Sequence, residues 1–199
     1  GEQIPPADLL TYLGANLYKD GCIHSELSKK LGSAWADFCK LHKLWGHSSL
    51  SMLKKILIFQ AVTISRLLYG LSSAWLNVAE IRRLNGFQAR LLRKIAGIKP
   101  SFVSRVSNIT VLQKTSQRQL GDQLLKQQML LYGRVSRSRT GDLLRDLTFI
   151  PGTLQPATGR YVRRVGRPRN EWAVMLQREA FEMSPEANTI VHDRRLWQQ

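Results

Sequence analysis

The apolar positions along this chain predict a protein built mainly from helices. Ser51 to Gly70 (S-M-L-K-K-I-L-I-F-Q-A-V-T-I-S-R-L-L-Y-G) carries apolar side chains on nearly every face, from Ile56 through Phe59 and on to Val62, Ile64, Leu67, Leu68 and Tyr69. A helix that is apolar all round must be buried on several sides. This stretch is therefore expected to be the central helix of a bundle. It is too short in unbroken apolar residues, Ile56 to Phe59, to supply the ~20 that a bilayer requires. Lys54 and Lys55 open it, at the end where the helix dipole disfavours cations. Acids would serve stability better there, so the lysines point to an anion from outside.

The flanking segments carry helix signals of their own. Ser25 is a good N-cap for a helix running to about Leu44, with Leu27, Leu31, Ala34/Trp35, Phe38, Leu41 and Trp45 at spacings of three and four. Asn77 followed by Glu80 has the spacing of a capping box. From Val78 to Ala96 the two faces separate at about 100° per residue: Ile81, Leu84, Phe87, Leu91, Leu92 and Ile95 on one side, Arg82, Arg83, Arg90, Arg93 and Lys94 on the other. Gly97 and Pro100 close that helix. Val111 to Ser136 reads as one long helix after Ser107-Asn108, and Asn170 to Met183 as a short one. Before them, Leu9 to Tyr18 reads as a strand or hairpin, with Gly14 at a bulge and Asp20-Gly21 as a turn. The last fifteen residues are expected to be loosely packed.

The expected fold class is thus mainly α: a helical bundle with a short N-terminal β strand or hairpin and a basic, partly irregular C-terminal extension. Three regions follow: a strand and turn lead-in over 1–22, the helical bundle over 23–140, and a basic linker with a short helix over 141–199. The chain begins Gly-Glu-Gln, and Leu9 onward reads like the middle of a protein. It is expected to be a piece of something larger.

Charge narrows the function. Thirty Lys plus Arg against fourteen Asp plus Glu give a net charge of +16 over 199 residues. The distribution is sharper still, because Glu80 is the lone acid among fourteen lysines and arginines from Phe38 to Gly121. Soluble surfaces usually intersperse both signs. A polyanion, and nucleic acid first, is the expected partner. An anionic membrane surface fits less well, since the cations are spread over several helices instead of one interfacial helix. Two cysteines, Cys22 and Cys39, suit a reducing intracellular compartment; the nucleus is expected before the cytoplasm.

Catalytic chemistry is hard to find. Hydrolysis or polymerisation needs clustered carboxylates, and the basic window has almost none. Asp20 and Glu26 read as a turn residue and a first-turn acid. Cys39-x-x-His42, with Cys22-x-His24 and His47, lacks the second close pair of a structural zinc site. No phosphate-binding glycine loop and no nucleophile elbow occurs. Catalytic residues and metal ligands are therefore expected to be absent. The best binding motif is the arginine tract Gly159 to Arg169, with Arg163, Arg164, Arg167 and Arg169. Its Gly166-Arg167-Pro168-Arg169 core has the form of an AT-hook, which lies extended in an A·T-rich minor groove. A basic linker that clamps phosphates without reading bases is the simpler explanation.

The order of short motifs resembles a known family. Tyr-Leu-Gly at Tyr12 to Gly14, Asp20-Gly21, Leu-Leu-Tyr-Gly at Leu67 to Gly70 followed by Trp75, and Gly-Arg-Pro-Arg-x-x-Trp from Gly166 to Trp172 occur in this order. Together they resemble the region downstream of the polymerase palm in reverse transcriptases of non-LTR (LINE-like) retrotransposons. The resemblance covers most of residues 9 to 175. It implies a thumb-and-linker segment of an RNA-directed DNA polymerase that grips the template–primer duplex by its backbone. Tyr12, Leu13 and Gly14 would lie near the primer. Lys54, Lys55, Arg82, Arg83, Arg90, Arg93 and Lys94 would contact phosphates of RNA or DNA duplex, and the arginine tract would contact nucleic acid beyond it. The family's Tyr-x-Asp-Asp signature and other palm carboxylates are absent, and two-metal phosphoryl transfer needs them. A missing upstream palm is therefore an expected partner, and magnesium is expected only in a full-length polymerase. The alternatives are a DNA-binding protein that uses the AT-hook-like tract and an inactive fragment of a decayed element.

Overall fold

Helix starts are set by side chains that satisfy the exposed first-turn amides. The clearest is at Asn77, whose side-chain oxygen accepts from the Glu80 amide at 3.0 Å while the Glu80 carboxylate accepts from the Asn77 amide at 2.8 Å. This reciprocal box, read from the sequence, opens the helix Val78–Ile95. Ser51, Ser107, Asp142 and Asp193 cap four further helices by the side chain accepting from first-turn amides.

The computed structural model describes residues 23–46, 48–158 and 171–198, together with the backbone of 9–12 and 15–18. The described chain is mainly α-helical. In order its helices are α1 (Ile23–Gly46), α2 (Met52–Ile58), α3 (Ser65–Leu68), α4 (Val78–Ile95), α5 (Ser101–Ser104), α6 (Asn108–Thr115), α7 (Leu120–Ser136), α8 (Leu143–Thr148), α9 (Trp172–Met183), α10 (Ala187–Ile190) and α11 (Arg194–Trp197). Two four-residue segments, β1 (Leu9–Tyr12) and β2 (Ala15–Tyr18), pair antiparallel, with Leu9 opposite Tyr18 and Tyr12 opposite Ala15. A two-stranded ribbon of this length is at best marginal in water and adds little to the helical core.

The chain divides into two units, one of residues 1–70 and 76–123, the other of 71–75 and 124–199. The division thus falls near Gln123, within α7, whereas the sequence reading places it near residue 140. Nearly all of the described part of the supposed linker is a packed unit.

In the first unit α1 packs against the Phe59–Ile64 segment, α3 and α4, while α4 also meets α2 and α6. Leu27, Leu31, Ala34, Phe38 and Trp45 of α1 are buried, as the stripe predicted. Phe38 is the hub, with the rings of Trp35, Trp45 and Phe59 at 6.1, 5.9 and 6.0 Å. The helical run expected over Ser51 to Gly70 differs in two ways. Its middle, Phe59–Ile64, winds as a π-helix between α2 and α3. It is also buried on one side only: Ile56, Phe59, Ile64, Leu67 and Leu68 face the core, while Leu57 remains 68% exposed and Leu53, Val62 and Tyr69 are exposed too. It lies on the flank of the bundle, not at its centre.

The long helix expected over Val111 to Ser136 is broken. Ser116 adopts φ 53° and ψ 39°, the left-handed conformation that ends α6, and α7 starts anew at Leu120. Two polar residues of α4 hold that restart. Gln88, fully buried, donates to the Arg118 carbonyl at 2.9 Å and accepts from the Leu120 amide at 3.0 Å. Asn85 accepts from the Gly121 amide at 2.8 Å.

The second unit has its own core of Met129, Tyr132, Val135, Phe149, Leu176, Ala180, Ala187 and Val191. The Trp172 indole donates to the Ser72 carbonyl at 2.8 Å, and that of Trp197 to the Met129 carbonyl at 2.8 Å. Val191 and Trp197 thus tie down the C-terminal residues expected to be loose. Burial pushes the Tyr132 phenol up to about 12, with Ser136 opposing in part. Arg145 is buried under the loop after α8, donating to the carbonyls of Ser136 and Thr153.

Candidate nucleic-acid interface

The basic residues of the first unit fall into three physical states. Some are neutralised: Arg66 meets Asp37 at 2.8 Å, and Lys30 meets Glu26 at 3.4 Å while donating to the Tyr69 carbonyl at 2.6 Å. One is structural. Arg93, predicted to be a phosphate contact, is only 5% exposed. Its guanidinium donates to the Val106 carbonyl at 2.6 Å and the Asn108 side chain at 3.0 Å, with the Lys99 carbonyl and Ser104 hydroxyl at 3.5 Å. The helical wheel placed Arg93 correctly by angle, but the returning chain from Lys99 to Asn108 covers that end of α4. Arg93 therefore leaves the set of phosphate contacts.

The third state is an exposed cation without a carboxylate. Arg82, Arg83, Arg90 and Lys94 of α4 are exposed, and none lies within 4.0 Å of an acid among the described residues. Lys54 is exposed and Lys55 half-buried at the start of α2, which packs on α4. Glu80, the lone acid of the basic window, is 94% buried: its side chain caps α4 and lies 3.9 Å from His24 Nδ1. It cannot screen the arginines beyond it. Leu84, Phe87, Leu91 and Leu92 on the opposite side of α4 are buried, so the helix is fixed in rotation and its cations stay outward.

Aromatic contacts order part of this face. The Arg90 guanidinium carbon sits 4.8 Å from the Trp35 ring centroid and Lys94 Nζ 5.5 Å from it. Arg83 donates to the Ser28 hydroxyl at 2.8 Å, which itself donates to the His24 carbonyl at 2.9 Å. Between α1 and α4 these groups border an open groove of about 520 Å³, lined by Ser28, Gly32 and Trp35 on one side and Arg83, Gly86 and Arg90 on the other. Sequence reasoning found the arginines but missed Trp35, which the 3.6-residue stripe assigned to the core.

Leu13, Gly14 and the arginines Arg163, Arg164, Arg167 and Arg169 lie outside the described residues; of Tyr12 only the backbone is described. Among the described residues no three His, Cys, Asp or Glu side chains converge on a metal position, and Cys39 is a half-buried free thiol. No described helix is long and apolar enough to cross a membrane. Compared with protein-family models, curated proteins and solved structures, the chain shows no significant match to any of them.

Proposed function

We propose that the chain is a nucleic-acid-binding segment that grips a duplex by its phosphates without sequence preference, as the thumb-and-linker part of a non-LTR retrotransposon reverse transcriptase would. One observation carries the binding reading: Arg82, Arg83, Arg90 and Lys94 project from one rigid helix with no described carboxylate to neutralise them. A solvated helix face normally mixes both signs at i, i+4 spacing. Four like charges on one face repel one another; a polyanion's phosphates neutralise them, and release of its condensed counterions favours binding further. Lys54 and Lys55 add positive charge on α2, which packs on α4, and a net charge of +16 favours approach to any polyanion.

The family part of the proposal rests on the ordered motifs Tyr12 to Gly14, Leu67 to Gly70 with Trp75, and Gly166 to Trp172. In that reading Leu9 to Tyr18 leads in from the palm, the catalytic carboxylates belong to the missing palm, and the working compartment is the nucleus. The test is a variant with Arg82, Arg83, Arg90 and Lys94 all changed to Ala. It should fold as the parent does and bind a blunt DNA duplex or an RNA–DNA hybrid at least tenfold more weakly at low salt. Unchanged affinity for both would overturn the reading.

A further inference from the structure

We propose that the groove between α1 and α4 holds one unpaired nucleotide, with its base against the Trp35–Arg90 pair and its phosphate at Arg83 or Lys94. This goes a step beyond backbone contact and rests on the nucleic-acid reading above. Single-strand binding surfaces combine a cationic track with aromatic platforms on which bases stack. The groove has both. Trp35 is half-buried, with one guanidinium and one ammonium within 5.5 Å of its ring centre. No described acid pairs with either cation. Its volume of about 520 Å³ falls in the ~300–1,000 Å³ range of small-molecule sites.

The glycines supply an independent argument. Gly32 and Gly86 sit inside long helices, where glycine costs about 1 kcal/mol relative to alanine. Neither has a positive φ, and a Cβ at either position would meet no atom within 4 Å. Packing therefore does not require them. Both line the groove, and neither carries a side chain that would compete with an incoming group. The bulk of a duplex could rest on the rim of such a groove; a single extruded or unpaired base could enter it.

The experiment measures binding of the full chain to a labelled twelve-nucleotide oligothymidylate, the matching oligouridylate, and a blunt twelve-base-pair duplex at one salt concentration. Gly86→Leu fills the groove and Trp35→Ala removes the platform. Each should weaken oligonucleotide binding by roughly 5- to 150-fold, the range of one base-stacking contact, and at least fivefold more than duplex binding. Trp35→Phe should restore much of the loss in the Trp35→Ala chain. Loss with both oligonucleotides, or with one, supports the groove and identifies the strand it takes. Equal weakening of oligonucleotide and duplex, or no weakening of either, overturns it. Gly86→Leu introduces a better helix former into open space and should melt no lower than the parent, so it decides the matter if Trp35→Ala fails to fold. A parent chain that binds no probe at low salt would sink the nucleic-acid reading itself. Salt-sensitive duplex binding with unaltered oligonucleotide binding in both variants would remove the groove alone.

Discussion

Arg93 donates to the carbonyl of Val106 at 2.6 Å, thirteen residues ahead in the chain, and so ties the last turn of α4 to the loop that follows it. Its four neighbours on the helix wheel are exposed, although Arg83 donates to the Ser28 hydroxyl and Arg90 and Lys94 lie over the Trp35 ring. Removing one member of a buried, charge-assisted network leaves carbonyls unsatisfied as well as a cavity. Arg93→Ala should cost about 2–4 kcal/mol of stability, read from urea melts. Arg82→Ala, at an exposed position, should stay within about 0.5 kcal/mol and instead weaken duplex binding. The same class of residue on the same helix would thus separate into a structural and a binding role.

Glu80 is the next test, because it does two things at once. Its carboxylate closes the capping box with Asn77, and it is the lone acid in the basic window. Glu80→Ala should lose about 1 kcal/mol, the typical worth of a helix cap, in chemical denaturation. Its nucleic-acid affinity, measured on the folded protein, should equal or exceed the parent's, since a negative charge is gone. A weaker complex would mean that Glu80 organises the binding face.

In the second unit, Gly133 has no room for a side chain. A Cβ there would collide with Trp197 Nε1, and that indole nitrogen is also the donor to the Met129 carbonyl. Gly133→Ala should force Trp197 out, cost about 1–3 kcal/mol as overpacking does, and shift tryptophan emission to the red. Trp197→Ala combined with Gly133→Ala should recover part of the loss attributable to the clash.

Tyr132 predicts alkaline behaviour. Its phenol, buried, holds its proton to about 12 in the folded chain, against an ordinary value of 10.0. The unfolded chain releases that proton first, so stability from this group is complete below about pH 10 and is lost as pH rises from there towards 12. Tyr132→Phe should flatten the fall in melting temperature across that window while leaving the neutral-pH fold intact. An identical alkaline profile in the variant would assign the loss to other groups.

How much of this was legible beforehand differs by element. The α4 capping box, its buried Leu84, Phe87, Leu91 and Leu92, and the α1 stripe were readable because local spacing decides them. The break at Ser116 was not: a left-handed serine carries no strong sequence signal, and what holds the new helix start is Gln88 and Asn85, some thirty residues away. The exposed side of the Ser51 to Gly70 run was misread because apolar composition does not reveal how many neighbours a helix has. The burial of Arg93 and the pairing of Trp35 with Arg90 likewise depend on chain that returns from elsewhere. Angle and charge alone put five cations on one side of α4, and four of them are exposed.

The central claim, phosphate-directed and sequence-indifferent binding, is tested most directly by the salt dependence of duplex affinity. About four to six phosphate contacts from Arg82, Arg83, Arg90, Lys94, Lys54 and Lys55 give an expected slope of log K against log salt between about −3.5 and −5.5. Two duplexes of unrelated sequence should give the same slope and affinities within a few-fold of each other. An affinity that ignores salt, or one that persists for a single sequence as salt rises, would contradict it.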